Sequence, residues 1–120
     1  MISANDVLQI INEIHQYSML LVELRDEVTL GFFRLAQDKL SYFRVEGKLV
    51  RENRAELLRV LSAGMIPQSL HVLTLDQFLQ SIEGKKAKHI WLESGELTRK
   101  ELGFLSIAEL KSHFRTHVPH

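Results

Sequence analysis

Cysteine is absent from the chain, which excludes disulfide staples, thiolate nucleophiles and cysteine-ligated zinc or iron–sulfur centres. A reducing compartment is compatible with that absence. Long apolar runs are also missing: no window approaches the roughly 20 residues that cross a bilayer. The first residues include Asn5 and Asp6, where a secretory leader needs basic and then apolar side chains. The expected location is therefore cytoplasmic. Proline stands only at positions 67 and 119, and there is no Pro/Gly/Ser-rich linker, low-complexity tract or solenoid-length repeat. An excess of one charge is lacking too, because 15 Lys and Arg balance 15 Asp and Glu. That balance removes any whole-molecule electrostatic case for binding DNA or an anionic membrane.

What remains is an ordinary globular composition, 45% hydrophobic and 25% charged over 120 residues. Such a chain is long enough to bury a core as one domain over 1–120. A helical hairpin region over 1–64 and a set of short capped helices over 65–120 form its expected subdivision, with Pro67 at the break. Charge is uneven along the chain. Residues 1–33 carry five acidic residues against Arg25 alone, whereas 34–64 and 85–120 each come to +3. Such an asymmetry can orient two chains or be satisfied within one fold.

A helix-start signature recurs four times: Ser or Thr, then Asp, Glu or Gln three residues on, flanked by apolar residues. It occurs at Ser3/Asp6, Thr74/Gln77, Thr98/Glu101 and Ser106/Glu109. Between these signals, Val7, Ile10, Ile11, Ile14, Tyr17, Leu21, Leu24 and Val28 recur at spacings of three and four, predicting one long helix over 4–25. Over 28–46, Arg34, Gln37, Asp38, Ser41 and Arg44 fall on one side at helical spacing, predicting a second helix ended near Gly47. A third helix is expected from Asn53 to Gly64, followed by helices over 75–83, 99–104 and 107–115. The resulting fold is mainly α, a bundle of about five to six helices with a small two-stranded element from 70–73 and 89–92. The competing reading is α+β, with a meander over 20–45 whose turns fall at Arg25-Asp26-Glu27 and Ala36 to Lys39.

Chemistry-bearing patterns are few. Residues 94–102 resemble the back half of an EF-hand calcium loop, but Ile90 and Leu92 then occupy the first and third positions, where calcium needs carboxylates. His113 and His117 are four apart, with His120 beyond, a spacing that places two imidazoles on one helix face. The capping boxes and a solvated terminus account for both patterns without a metal, so no metal or cofactor is expected. No nucleophile elbow, phosphate-binding glycine loop or zincin helix is present, and no catalytic residue is assigned.

The expected function is a small non-enzymatic protein–protein interaction module of adaptor, chaperone-like, inhibitor or antitoxin/immunity type. Self-association as a homodimer through the N-terminal helices is expected, with Ile14, Leu21, Phe32 and Phe33 as the apolar interface. The alternative is a small DNA- or RNA-binding regulator. It would read the C-terminal helices as a helix-turn-helix, with Lys85, Lys86, Lys88, Arg99, Lys100, Lys111 and Arg115 contacting nucleic acid.

Overall fold

In a computed structural model the chain forms a six-stranded antiparallel sheet with helices on both faces. Residues 1–94 and 102–116 are described, with the side chains of 47–52, 94, 102 and 116 set aside. The elements run α1 (Ala4–Glu13), β1 (Ser18–Leu24), β2 (Thr29–Arg34), β3 (Leu40–Val45), α2 (Gly47–Ser62), β4 (Leu70–Leu73), α3 (Leu75–Ile82), β5 (Ala87–Ser94), β6 (Leu102–Phe104) and α4 (Ile107–Thr116). Strand order across the sheet is β4-β3-β2-β1-β5-β6. The bundle of five to six helices expected from periodicity is therefore overturned, and the chain is not a mainly helical protein.

The long helix over 4–25 stops at Glu13. Ile14 is already extended, and Tyr17 turns the chain with φ 58 before β1 begins at Ser18. Every residue of β1 is buried, because β2 and β5 flank it and helices cover both faces. A strand buried on both faces reads as a continuous apolar run, and its residues satisfy helical spacing as well as they do any other.

The second predicted helix is instead two strands, as in the competing meander. β1 pairs with β2 through Leu21 opposite Gly31, and β2 pairs with β3 through Gly31 opposite Phe43. The polar stripe that imitated a helix face is explained by the turn between them. Arg34 closes β2, while Gln37 and Asp38 take φ of 62 and 59 in a short 3-10 turn over Ala36–Asp38. Arg34 pairs with Asp38 at 3.1 Å and also donates to the Ile11 carbonyl, tying the turn to the end of α1.

Beyond β3, helix α2 starts at Gly47 rather than ending there, and Gly64, at φ +79, follows its end. The capping box at Thr74 and Gln77 is complete, with both reciprocal bonds made at 3.0 and 3.1 Å. Ser106 caps α4 by accepting from the Glu109 amide at 3.2 Å, whereas Ser3 makes no side-chain cap to α1. The Thr98/Glu101 signature lies outside the described residues. The predicted helix over 99–104 is corrected at its end, since 102–104 is strand β6. Residues 70–73 and 89–92 are both strand, yet they do not pair with each other. β4 lies beside β3, and β5 lies between β1 and β6.

Two cores result, one on each face of the sheet. Helices α1, α3 and α4 cover Leu20, Val22, Leu30, Phe32 and Ile90, and α2 covers Met19, Leu21, Phe33, Phe43 and Trp91. On the α2 side, Arg54 reaches Glu93 at 3.1 Å and stacks its guanidinium 4.6 Å from the Trp91 ring centre. Both members of this ion pair are nearly buried, so Arg54→Ala strips a stacking cation and leaves the Glu93 carboxylate without its partner. The expected loss is about 2 kcal/mol in urea unfolding, whereas Arg59→Ala, on the solvent-screened Glu56 pair, should leave the unfolding midpoint unchanged.

On the opposite face the Tyr42 ring packs 5.5 Å from Phe78 and 6.3 Å from Phe32. Partial burial pushes its phenol above the ordinary 10.0, and the nearby Arg34 charge opposes that rise. Because the folded value is the higher one, the stability contribution is intact below 10.0 and is lost as pH climbs through the folded value. Absorbance titration of Tyr42 should therefore show ionisation above the ordinary tyrosine range while the chain is folded. A Tyr42→Phe variant should lose that component of the alkaline destabilisation.

Candidate functional site

The four apolar residues expected at an interface are inside the protomer. Ile14, Leu20, Phe32 and their neighbours fill one core, and Leu21 and Phe33 fill the other. Their apolar character is thus accounted for without a second chain. The surplus that suggested an exposed helix face is consumed by a sheet that needs cover on two sides.

Three of the six large apolar residues exposed among the described ones, Met65, Ile66 and Val72, fall in or just before β4 at the edge of the sheet. Past Gly64 the chain turns, with the Met65 amide bonded to the Val60 carbonyl at 3.1 Å and the Leu70 amide to the Pro67 carbonyl at 3.2 Å. These bonds set β4 alongside β3, pairing Leu70 with Val45 and Leu73 with Tyr42. Leu70 enters the α2-side core, and by alternation Val72 points to the same side, where it is 56% exposed. Met65 and Ile66 stand close by in sequence, at 53% and 62% exposure. Among the described residues strand β4 has β3 on one side and ends the sheet on the other. The sequence carries a signal for this surface that periodicity does not detect: residues 60–75 contain no Asp, Glu, Lys or Arg, in a chain where 25% of residues are charged. Edge strands are usually protected by such charges or by proline within the strand, and β4 has neither.

No family model, curated protein or solved structure matches this chain. Its own surfaces are what carry a functional reading.

The second surface is a groove of about 680 Å³ on the other side of the molecule's core, lined by the start of the chain, the β1–β2 turn, the α3–β5 loop and α4. It brings together Lys86, Lys111 and Arg115, three of the cations expected to contact nucleic acid in the alternative reading, and adds Arg25. Arg25 escapes a reading of the sequence, because only the pairing of β1 with β5 carries its turn to the α3–β5 loop. Lys85 and Lys88 are directed to carboxylates instead, Asp26 at 3.5 Å and Glu23 at 4.0 Å. Arg99 and Lys100 lie outside the described residues. With strand at 102–104 leading into α4, the helix-turn-helix arrangement is not formed there.

The metal readings gain no geometry. Ile90 is fully buried in β5 and the Leu92 position pairs with β6, while 95–101 lie outside the described residues. His113 packs its ring against Phe104 and Phe114 at 5.4 and 5.8 Å, and His117 and His120 lie outside the described residues. Among the described residues no group of three or more His, Asp or Glu is placed to hold a metal. No helix among them is long and apolar enough to cross a membrane.

Proposed function

We propose that this protein is a non-enzymatic protein–protein interaction module that self-associates by adding the β4 edge of one copy to the β4 edge of another. The observation that carries this reading is an edge strand free of charge and proline that exposes Val72, preceded in the chain by exposed Met65 and Ile66. An edge of this kind offers unpaired backbone N–H and C=O groups, and strand addition satisfies them while apolar neighbours are covered. Two antiparallel copies of Leu70–Leu73 are self-complementary about a two-fold axis, as an isologous dimer requires. Zero net charge means that two copies approach without net repulsion. Self-association through N-terminal helices gives way to this edge, since β1 to β3 occupy the sequence where the second helix was expected.

The interface is small. A four-residue edge with three apolar side chains falls well below the ~20–30 residues a side of a standard interface. Association should accordingly be weak and concentration-dependent. Light scattering on a size-exclusion column, loaded from about 10 μM to about 1 mM, should show mass rising toward the dimer. Val72→Lys should hold the protein monomeric across that range with an unchanged thermal midpoint, because Val72 is exposed. A wild-type chain that stays monomeric throughout, or a Val72→Lys variant that associates equally well, contradicts the reading.

A further inference from the structure

We infer that the groove beside α4 is a binding site for a compact phosphate-bearing anion, of the class of inorganic pyrophosphate or a nucleoside polyphosphate. Arg25, Lys86, Lys111 and Arg115 line it, and Asp6 is the single carboxylate among the described residues that do. The described side chains of the site thus sum to +3, four cations against one carboxylate, in a chain whose total charge is zero. Lys111 bonds Asp6 at 3.0 Å, but among the described residues the side chains of Arg25, Lys86 and Arg115 make no ion pair. With Lys111 partly neutralised by Asp6, the three remaining like charges around one groove repel one another, and a bound anion relieves that repulsion.

The scaffold beneath these side chains is fixed by backbone bonds from separate parts of the chain. The Arg25 amide donates to the Lys86 carbonyl at 3.1 Å, the Ile2 amide donates to the Lys85 carbonyl at 2.8 Å, and the Gly84 amide donates to the Ile2 carbonyl at 2.8 Å. Buried Ile107 and Leu110 seat α4 in the core, and the Lys111–Asp6 pair ties it to α1. Lys111 and Arg115 therefore stand on a seated helix, and the turn and loop that carry Arg25 and Lys86 are bonded to each other through their backbone, which reduces the ordering cost of binding. Two guanidiniums suit phosphate oxygens in bidentate geometry, and the two ammonium groups act as point charges.

A compact ligand fits better than a nucleic-acid strand. A strand needs a track of cations and rings on which bases stack. Among the described residues no aromatic side chain lines the groove, and the flanking Lys85 and Lys88 are engaged by Asp26 and Glu23.

The inference is independent of the β4 edge and is tested separately, by titration calorimetry of the full chain with sodium pyrophosphate at low salt. Saturable one-site binding is expected, with sulfate weaker. Replacing both exposed arginines, Arg25→Gln with Arg115→Gln, should weaken pyrophosphate about a hundredfold, roughly tenfold for each guanidinium removed. Arg59→Gln, on α2 and paired with Glu56, should leave binding unchanged, and thermal melts of all variants should coincide with wild type. Absence of pyrophosphate binding up to about 10 mM, or equal binding by the double variant, overturns the site. A labelled single-stranded oligonucleotide provides the other arm. Binding of it far tighter than of pyrophosphate, with steep salt dependence, overturns the compact ligand and assigns the groove to a nucleic-acid backbone.

Discussion

Phe32→Ala is expected to destabilise the chain by about 4 kcal/mol, well beyond the cost of breaking the Arg54–Glu93 pair. Phe32 is fully buried in β2, meeting Phe78 of α3 edge-on at 6.0 Å and Tyr42 of β3 at 6.3 Å. Truncation removes the ring that joins strand, neighbouring strand and helix, and leaves a void that a sheet covered on both faces cannot close. The loss comes from a core within one chain, so it should be the same at low and high protein concentration. Urea unfolding followed by circular dichroism measures it. A loss below about 1 kcal/mol, or one that grows as the protein is diluted, would place Phe32 at a surface or an interface instead.

Gly31→Ala carries the second-largest cost, although glycine in a strand ordinarily weakens it by roughly 0.5–1 kcal/mol relative to alanine. The sign reverses here because of what surrounds the position. A β-carbon at Gly31 would lie 2.7 Å from Cε2 of Phe43, 2.8 Å from the Leu20 carbonyl oxygen and 2.8 Å from Cδ2 of Leu21. Two of these neighbours are side chains packed in the α2-side core. The third is backbone in the central strand β1 and cannot retreat without disturbing the pairing of β1 with β5. Overpacking on this scale should cost about 3 kcal/mol, exceeding the intrinsic gain from replacing glycine. A Gly31→Ala variant as stable as wild type would show that β1 and β2 adjust more freely than this packing allows. The same substitution at Gly64 is strained for a different reason, its φ of +79, and meets no neighbouring atom.

These two positions also explain what could be read in the sequence and what could not. The first part of α1 is legible because it has one buried face, Val7, Ile10 and Ile11, against an exposed one. The capped starts of α3 and α4 are legible because a short-range hydrogen-bond pattern writes them. Met19 to Leu24 is not, since burial on both faces erases the alternation that marks a strand. The turns that separate the strands add to the ambiguity. Tyr17, Glu27, Gln37 and Asp38 all take positive φ without being glycine, so the chain reverses direction where no glycine or proline announces it.

The two candidate surfaces are legible to different degrees. Lys86, Lys111 and Arg115 stand out in the sequence for their charge, but their convergence with Arg25 depends on β1 lying beside β5, a pairing of distant segments. The β4 edge leaves its mark as missing charge over residues 60–75, a composition signal that helix and strand periods do not test.

Cross-linking through a single introduced cysteine tests the β4 edge most directly, because the natural chain has none to interfere. In an antiparallel edge-to-edge pair, residues opposite one another across the two-fold axis have Cα atoms about 4.5–5.5 Å apart, within disulfide range. Full overlap of Leu70–Leu73 sets position 71 of one copy opposite position 72 of the other, so an equimolar mixture of His71→Cys and Val72→Cys proteins, oxidised mildly under native conditions, should form covalent dimer rapidly. Gln80→Cys, exposed on α3 and away from the edge, should lag well behind. Equal and slow cross-linking of the mixture and of Gln80→Cys would contradict self-association through β4.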